Sequence, residues 1–269
     1  MPDMSGAIQE IYSLEQLSGG NSCIHRRHGL AKMLSTFVFI VTVVSFNRYE
    51  IGRLIPYIFY PVVLAALSDT PWTLLGKRIA LALPFALFAG ISNIIFDRST
   101  ALVLGSMPIT FGTLSLIAIF LRTFLCVAAV MLLVAVTPFW DLSDQLRRLH
   151  LPDIFISMFE MTYRYIGTLL EEASTMYTAY MLRSPNQKGL KMKHMGSFTG
   201  QLLIRSYDRA ERIYNAMKCM GYAVRDYHKS RAKFTKADWV YLAVTCVPCV
   251  LLRLIDVPAL YSHALEALL

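Results

Sequence analysis

Few side chains in this 269-residue sequence have the type and spacing for chemistry. Cys246 and Cys249, in "TCVPCV", have the Cys-x-x-Cys spacing of a redox dithiol or half a metal site. No βαβ pattern surrounds them, and in an apolar run cysteine behaves as a small hydrophobe, so packing is the expected role. His25 and His28 share an i,i+3 spacing that can hold a metal. No histidine-rich cluster accompanies them, and they are read as polar residues at a membrane edge, with no metal site assigned. "LLGKR" joins Gly76, Lys77 and Arg78 but lacks the upstream glycine and the hydroxyl residue of a phosphate-cradling loop. No catalytic residue is assigned. Two arginines stand apart. Arg122 is the one charge inside a strongly apolar run, and Arg183 closes "MYTAYMLRSP" two residues before Pro185 with no acidic residue in the preceding turn.

The elements that position these residues follow from composition. Apolar residues make up 55% of the chain and charged residues 16%, with a mean hydropathy of +0.48. Soluble domains average about 45–50% and about 25%, so the balance is that of a membrane protein. The apolar residues gather in five blocks, Leu30–Phe46, Leu54–Ser68, Ile79–Phe96, Gly112–Thr137 and Trp239–Leu254. A spanning helix needs about 20 mostly apolar residues, which the third and fourth blocks supply easily and the first only barely. The second carries Pro56 and Pro61, tolerable in a span when neighbours satisfy the freed carbonyls. No cleavage-site pattern follows the first block, which is expected to stay as an anchor. The expected fold is an all-α polytopic membrane protein with five spans and a cytoplasmic domain of long amphipathic helices. Its parts are a cytoplasmic segment 1–29, four spans within 30–137, a cytoplasmic domain 138–238, and a last span with its tail over 239–269.

Orientation comes from lysine and arginine. Residues 138–238 hold sixteen of the 26 basic and ten of the 18 acidic residues, a net of +6 against +2 for the rest. The basic stretch belongs inside, and alternation then puts Arg26, Arg27, Lys77 and Arg78 inside as well. The expected topology is N-terminus in and C-terminus out. Interspersed acids argue against nucleic acid as a partner, because the positive-inside rule already accounts for the excess.

Within 138–238 the periodicity is helical. Leu142, Leu146 and Leu149 recur at helical spacing before the break at His150-Leu151-Pro152. From Asp153 an amphipathic pattern of roughly 30 residues (Ile154, Met158, Met161, Tyr165, Leu169, Met176, Tyr180) runs to Pro185. The polar linker "NQKGLKMKHMG" precedes a second helix expected over Ser197–Met220, with Leu203, Tyr207, Ala210, Tyr214 and Met217 on its apolar side. Gly221 fits the C′ position that ends such a helix. Both helices stop abruptly, which two helices lying on anionic headgroups would have no need to do.

"HGLAKMLSTFVFIVTVVSF", "VTPFWDLSDQLRRLHLPDIF", "YRYIGTLLEEASTMYTAYMLRS" and "RSYDRAERIYNAMKCMGY" resemble the transmembrane T component of energy-coupling factor (ECF) ABC-type importers, nearest to the cobalt branch of CbiQ type. The similarity extends from residue 29 to 256. It implies a scaffold in the bacterial cell membrane, without catalysis of its own, that couples two cytoplasmic ATPases to a substrate-binding membrane subunit. A small accessory membrane subunit is a further implied partner, and ATP and Mg would belong to the ATPase subunits. The family's two Ala-Arg-Gly-like coupling motifs are matched by Leu182-Arg183-Ser184 and, with a departure, by Cys219-Met220-Gly221. An Arg at a helix C-terminus is favourable by about 0.3–1 kcal/mol, and its fork stays free for a partner. Met220 can fill a groove but cannot donate to a carboxylate. Lys218 or Arg225 is the expected auxiliary charge, and Arg183 is expected to dominate coupling. For Arg122, about ten residues from the outer start of its block, three roles stand side by side: snorkelling to the interface, a structural bond to another helix, or one to the substrate subunit. Cobalt follows from the branch alone, with nickel and vitamin importers as alternatives. An autonomous transporter would need ionisable residues through several spans, and a membrane redox enzyme would need Cys246 and Cys249.

Overall fold

The structure is a computed structural model that describes residues 15, 18–20, 22–47, 51–96, 100–104, 107–149, 151–184, 189–222 and 234–254. Its helices, in chain order, are α1 (Gly29–Val44), α2 (Ile51–Leu54), α3 (Phe59–Ser68), α4 (Trp72–Phe96), α5 (Phe111–Val136), α6 (Phe139–Arg148), α7 (Asp153–Arg183), α8 (Met192–Cys219) and α9 (Lys236–Leu254). The chain is a helical polytopic membrane protein. One addition to the expected helices is an antiparallel hairpin of β1 (Thr100–Leu104) and β2 (Met107–Thr110), which pairs Leu102 with Ile109 and Leu104 with Met107 between α4 and α5. The described residues divide into two compact units, with breaks between 16 and 17, 139 and 140, and 231 and 232.

The first unit is the membrane unit. Four of its segments are long and apolar enough to cross a bilayer: Ile51–Ser68, Leu75–Ser92, Gly112–Val136 and Lys236–Leu254. They expose the residues a soluble protein would hide, among them Leu81, Phe85, Phe88 and Val244, as lipid-facing helices do. Ile51–Ser68 is composite: a 3₁₀ turn, Ile55–Ile58, joins α2 to α3. Pro56 lies at the start of that turn and Pro61 in the first turn of α3, where a missing N–H costs least. Asp69, at φ 53°, ends α3 in the left-handed conformation. Gly90 lets α4 approach α5 closely, since a Cβ there would meet Leu116 Cγ at 2.9 Å.

The expected first span is the exception in length. α1 has 16 residues, about 24 Å at 1.5 Å per residue, and falls short of the other four. Its two ends are nevertheless tied to the two ends of α9. The His28 backbone N–H donates to Asp238 Oδ1 at 3.1 Å at one end, and Arg253 Nη2 donates to the Ser45 carbonyl at 3.1 Å at the other. The two helices therefore run parallel and traverse the same depth. α5 runs the opposite way: Lys32, near the start of α1, donates to the carbonyl of Val136 at 3.0 Å, and Arg122, eleven residues into α5, reaches the end of α1. The chain thus leaves and re-enters the membrane unit at one face.

Backbone groups at helix ends have no water to turn to in hydrocarbon, and charges from other helices satisfy them here. Lys32 is only 3% exposed, and its ammonium is shared between the carbonyls of His25 and Val136. Asp238 is 4% exposed and accepts from the N–H of His28 and the N–H of Thr235. Arg122 Nη2 donates to the carbonyls of Phe46 at 2.8 Å and Asn47 at 3.4 Å, while Arg253 lies 4.4 Å over the Phe46 ring. Between these ends, Phe39 stacks on Tyr60 at 4.2 Å, and Phe39, Val43, Tyr57 and Leu125 form a core that includes Cys249. The described cysteines, Cys246 among them, are free thiols. His28 Nδ1 accepts from the Leu30 N–H and caps α1, and His25 Nδ1 hydrogen-bonds Ser22 Oγ at 2.7 Å.

Replacing Arg122 with Met should lower stability by about 1.5–3 kcal/mol, because the carbonyls of Phe46 and Asn47, just past the end of α1, lose their charged donor. The midpoint of detergent-solubilised thermal unfolding reads this directly. An unchanged midpoint would mean that Arg122 does not hold the end of α1.

Candidate functional site

The second unit is built on α6, α7 and α8. α6 folds back on α7 through Glu160, which accepts from Ser143 Oγ at 2.8 Å and from Arg147 Nη2 at 3.1 Å. Trp140 packs edge-on against Tyr163, with ring centroids 6.0 Å apart. Burial pushes the Tyr163 phenol above its ordinary value, and the charge of Glu15 adds to the rise, so the ring packs as a neutral group.

α7 and α8 meet at a second carboxylate. Glu172 accepts from Arg209 Nη2 at 2.8 Å and from Arg205 Nη1 at 3.4 Å. Toward the end of α7, Tyr180 and His194 bring the helices together again, with centroids 5.9 Å apart. A cleft of about 420 Å³ opens there, lined by Tyr180, Arg183, His194 and Arg205 among others. Arg183 lies eleven residues beyond Glu172 on α7, and Met220 lies eleven beyond Arg209 on the α8 side. Each tip is thus about 16 Å of helix from the Glu172 contact, at the end of a different helix.

The two sequence motifs occupy equivalent places, the C-termini of these helices. Leu182 and Arg183 are exposed, and the N–H of Ser184 turns back to the carbonyl of Met181 to close α7. Pro185 lies outside the described residues. At the other tip Gly221 takes φ +66°, its N–H donates to the Lys218 carbonyl and the Tyr222 N–H donates to the Met217 carbonyl at 3.0 Å. Those two bonds make a Schellman ending, which the glycine at C′ permits. Cys219, Met220 and Lys218 are exposed, Met220 at 85%. Arg225 lies outside the described residues.

Two expectations change. α8 begins at Met192, not Ser197, because Met192–Gly196 continues the helix. Its apolar side is not packed away: none of its residues is buried, and Leu203, Ile204, Tyr207 and Tyr214 are all more than half exposed. Periodicity marks an apolar face but not what covers it. Likewise on α7, Ile154 and Met158 are exposed, while burial falls on Ile156 and Ala173. Sequence reasoning also passed over Glu160 and Glu172. Their partners Arg147, Arg205 and Arg209 come from other helices at separations that no local spacing displays.

The arrangement has no group of three or more metal-ligating side chains among the described residues. What it presents is two exposed helix ends on an apolar-faced helix pair. Residues 20–230 match the family described as CbiQ, cobalt transport protein. The chain belongs to this family. It is 26% identical over 251 residues to the energy-coupling factor transporter transmembrane protein EcfT of Ruminiclostridium cellulolyticum, covering 87% of this chain and 93% of that one. It is 28% identical over 237 residues to an uncharacterized protein of Methanocaldococcus jannaschii, covering 84% and 80%. It also shares 28% identity over 135 residues with the nickel permease LarQ of Lactiplantibacillus plantarum, about half of each chain. The family is one of membrane transport components, that of the T components of energy-coupling factor transporters.

Glu172→Ala should loosen the junction of α7 and α8 while costing less than about 1 kcal/mol, since both its arginine partners are partly exposed. Spin labels at Leu182 and Cys219 should then give a broadened distance distribution. An unchanged width would mean that apolar contacts alone set the junction.

Proposed function

We propose that this CbiQ-family chain is the energy-coupling scaffold of a cobalt importer. It transmits ATP-driven motion of two cytoplasmic ATPases to a separate substrate-binding membrane subunit, with a small accessory membrane subunit as a further partner. The observation that carries the reading is the pair of exposed helix ends, Leu182-Arg183-Ser184 and Cys219-Met220-Gly221. Each is a blunt tip, and a blunt tip suits insertion into a groove. At the first, the guanidinium of Arg183 adds a fork for carboxylates or carbonyls. At the second, Met220 adds apolar surface alone, with Lys218 beside it and Arg225 as the further auxiliary charge. The bare stripe of Leu203, Ile204, Tyr207 and Tyr214 supports a second docking surface for the membrane partner, because apolar area of this kind marks an interaction site. ATP and Mg belong to the ATPases in this reading.

The protein resides in the bacterial cell membrane, with its N-terminus and residues 138–238 in the cytoplasm. Five crossings follow if α1 counts with the four longer segments. The face at which α5 ends and α9 begins is the one near Arg26, Arg27, Lys77 and Arg78, as the positive-inside rule asks. Cobalt is favoured by the family match over residues 20–230, and nickel is the second reading, favoured by the match to a nickel permease over half the chain. Uptake of the two metals by the co-expressed complex separates them. Cobalt uptake exceeding nickel uptake is expected, and the reverse would overturn the choice.

Arg183→Ala should reduce co-purification of the ATPases by about tenfold or more, the worth of a charged hydrogen bond, while Met220→Ala should cost less. Equal losses from the two substitutions would refute the dominance of Arg183.

A further inference from the structure

The membrane unit contains a slot of about 570 Å³. It lies between α3 and α9 and follows their length. Cys23, Arg27, Leu67 and Ala237 line one end, and Pro248 and Leu252 line the other. At the deep end the hydroxyl of Tyr57, in the 3₁₀ turn before α3, donates to the carbonyl of Cys249 at 2.7 Å and ties that turn to α9. Along the lips Val240 and Val244 are 61% and 66% exposed. The walls are overwhelmingly apolar, so water would find few partners there, and in a bilayer the slot must hold hydrocarbon or protein.

The chemistry at the mouth selects between them. Arg27 stands at the end of the slot where α9 begins, half-buried, and among the described residues its guanidinium has no carboxylate or hydrogen-bonded partner. A guanidinium fork matches phosphate oxygens bidentately. One charge at the mouth with apolar wall behind it complements a molecule built the same way, an anionic headgroup followed by a long chain. A transmembrane helix of a partner would bring apolar surface without answering the charge. We infer that the slot binds one anionic phospholipid, drawn from the leaflet on the Arg27 side, with its phosphate on Arg27 and one acyl chain lying along α9 toward Pro248. The inference rests on the membrane character of the chain and is independent of which metal the importer carries. The lipid fills the gap beside the segmented span Ile51–Ser68 and the Pro248-bearing α9, and so becomes part of the packing of α9 against the rest of the unit.

The test is native mass spectrometry of the full-length protein in detergent, titrated with phosphatidylglycerol and with phosphatidylcholine of equal chain length. One phosphatidylglycerol should be retained per chain, with a preference of about fivefold over phosphatidylcholine, the worth of one basic residue at a lipid surface. Arg27→Gln should erase that preference. Val244→Trp, which narrows the slot and leaves Arg27 in place, should lower retention of both lipids, and Val240→Trp serves if the first variant does not fold. Equal retention of the two lipids by the unaltered chain, or a preference that survives Arg27→Gln, would overturn the proposal. So would crosslinking of Val244→Cys to a companion membrane subunit in the assembled complex with no lipid retained, since a protein helix would then fill the slot.

Discussion

The membrane unit depends on one constraint: the open backbone groups at the ends of its helices must find partners where water is scarce. α1 meets it at both ends through charges supplied by other helices. Asp238 from α9 takes the N–H of His28, and Arg122 from α5 with Arg253 from α9 takes the carbonyls of Ser45, Phe46 and Asn47. The end of α5 is met in turn by Lys32 of α1. Each of these charges is one that an isolated hydrophobic helix would exclude. Together they fix the direction and depth of three helices against one another, which apolar packing alone specifies weakly.

This explains how a helix as short as α1 can stand beside longer spans. Its ends are matched to those of α9 by hydrogen bonds and not by length, and its middle is held by Phe39 against Tyr60 and Tyr57. The same economy leaves a gap between α3 and α9, because α3 begins only after a 3₁₀ turn and α9 carries Pro248 in its interior. The Tyr57 bond to Cys249 ties α9 to the 3₁₀ turn that precedes α3.

The amphipathic unit obeys a different rule. Its helices lie outside the apolar spans, so their ends need not be hidden, and both motif-bearing tips are exposed. The tips are made by different means, a turn at Ser184 on one and a glycine-permitted Schellman ending on the other. The carboxylates of Glu160 and Glu172 hold the three helices at their junctions, where α8 buries no residue of its own. The pair is joined at a few points, and α8 keeps its apolar residues Leu203, Ile204, Tyr207 and Tyr214 bare.

Much of this was legible in the sequence, and the legible part is local. Runs of apolar residues mark the four long crossings, the 3.6-residue period marks α7 and α8, and Gly221 marks where α8 must stop, because each depends on neighbours within a few positions. The hairpin of β1 and β2 escaped notice, since a short apolar run carries no period that separates strand from helix. The sequence by itself also determined that Arg122 needs a partner, because a charge in an apolar run must be satisfied. Only the tertiary structure decided which partner, just as it decided that Lys32 belongs to Val136 and Arg205 to Glu172. Those pairs lie tens to more than a hundred residues apart, and a distance in space between such residues is set by the packing of whole helices, which no local pattern encodes.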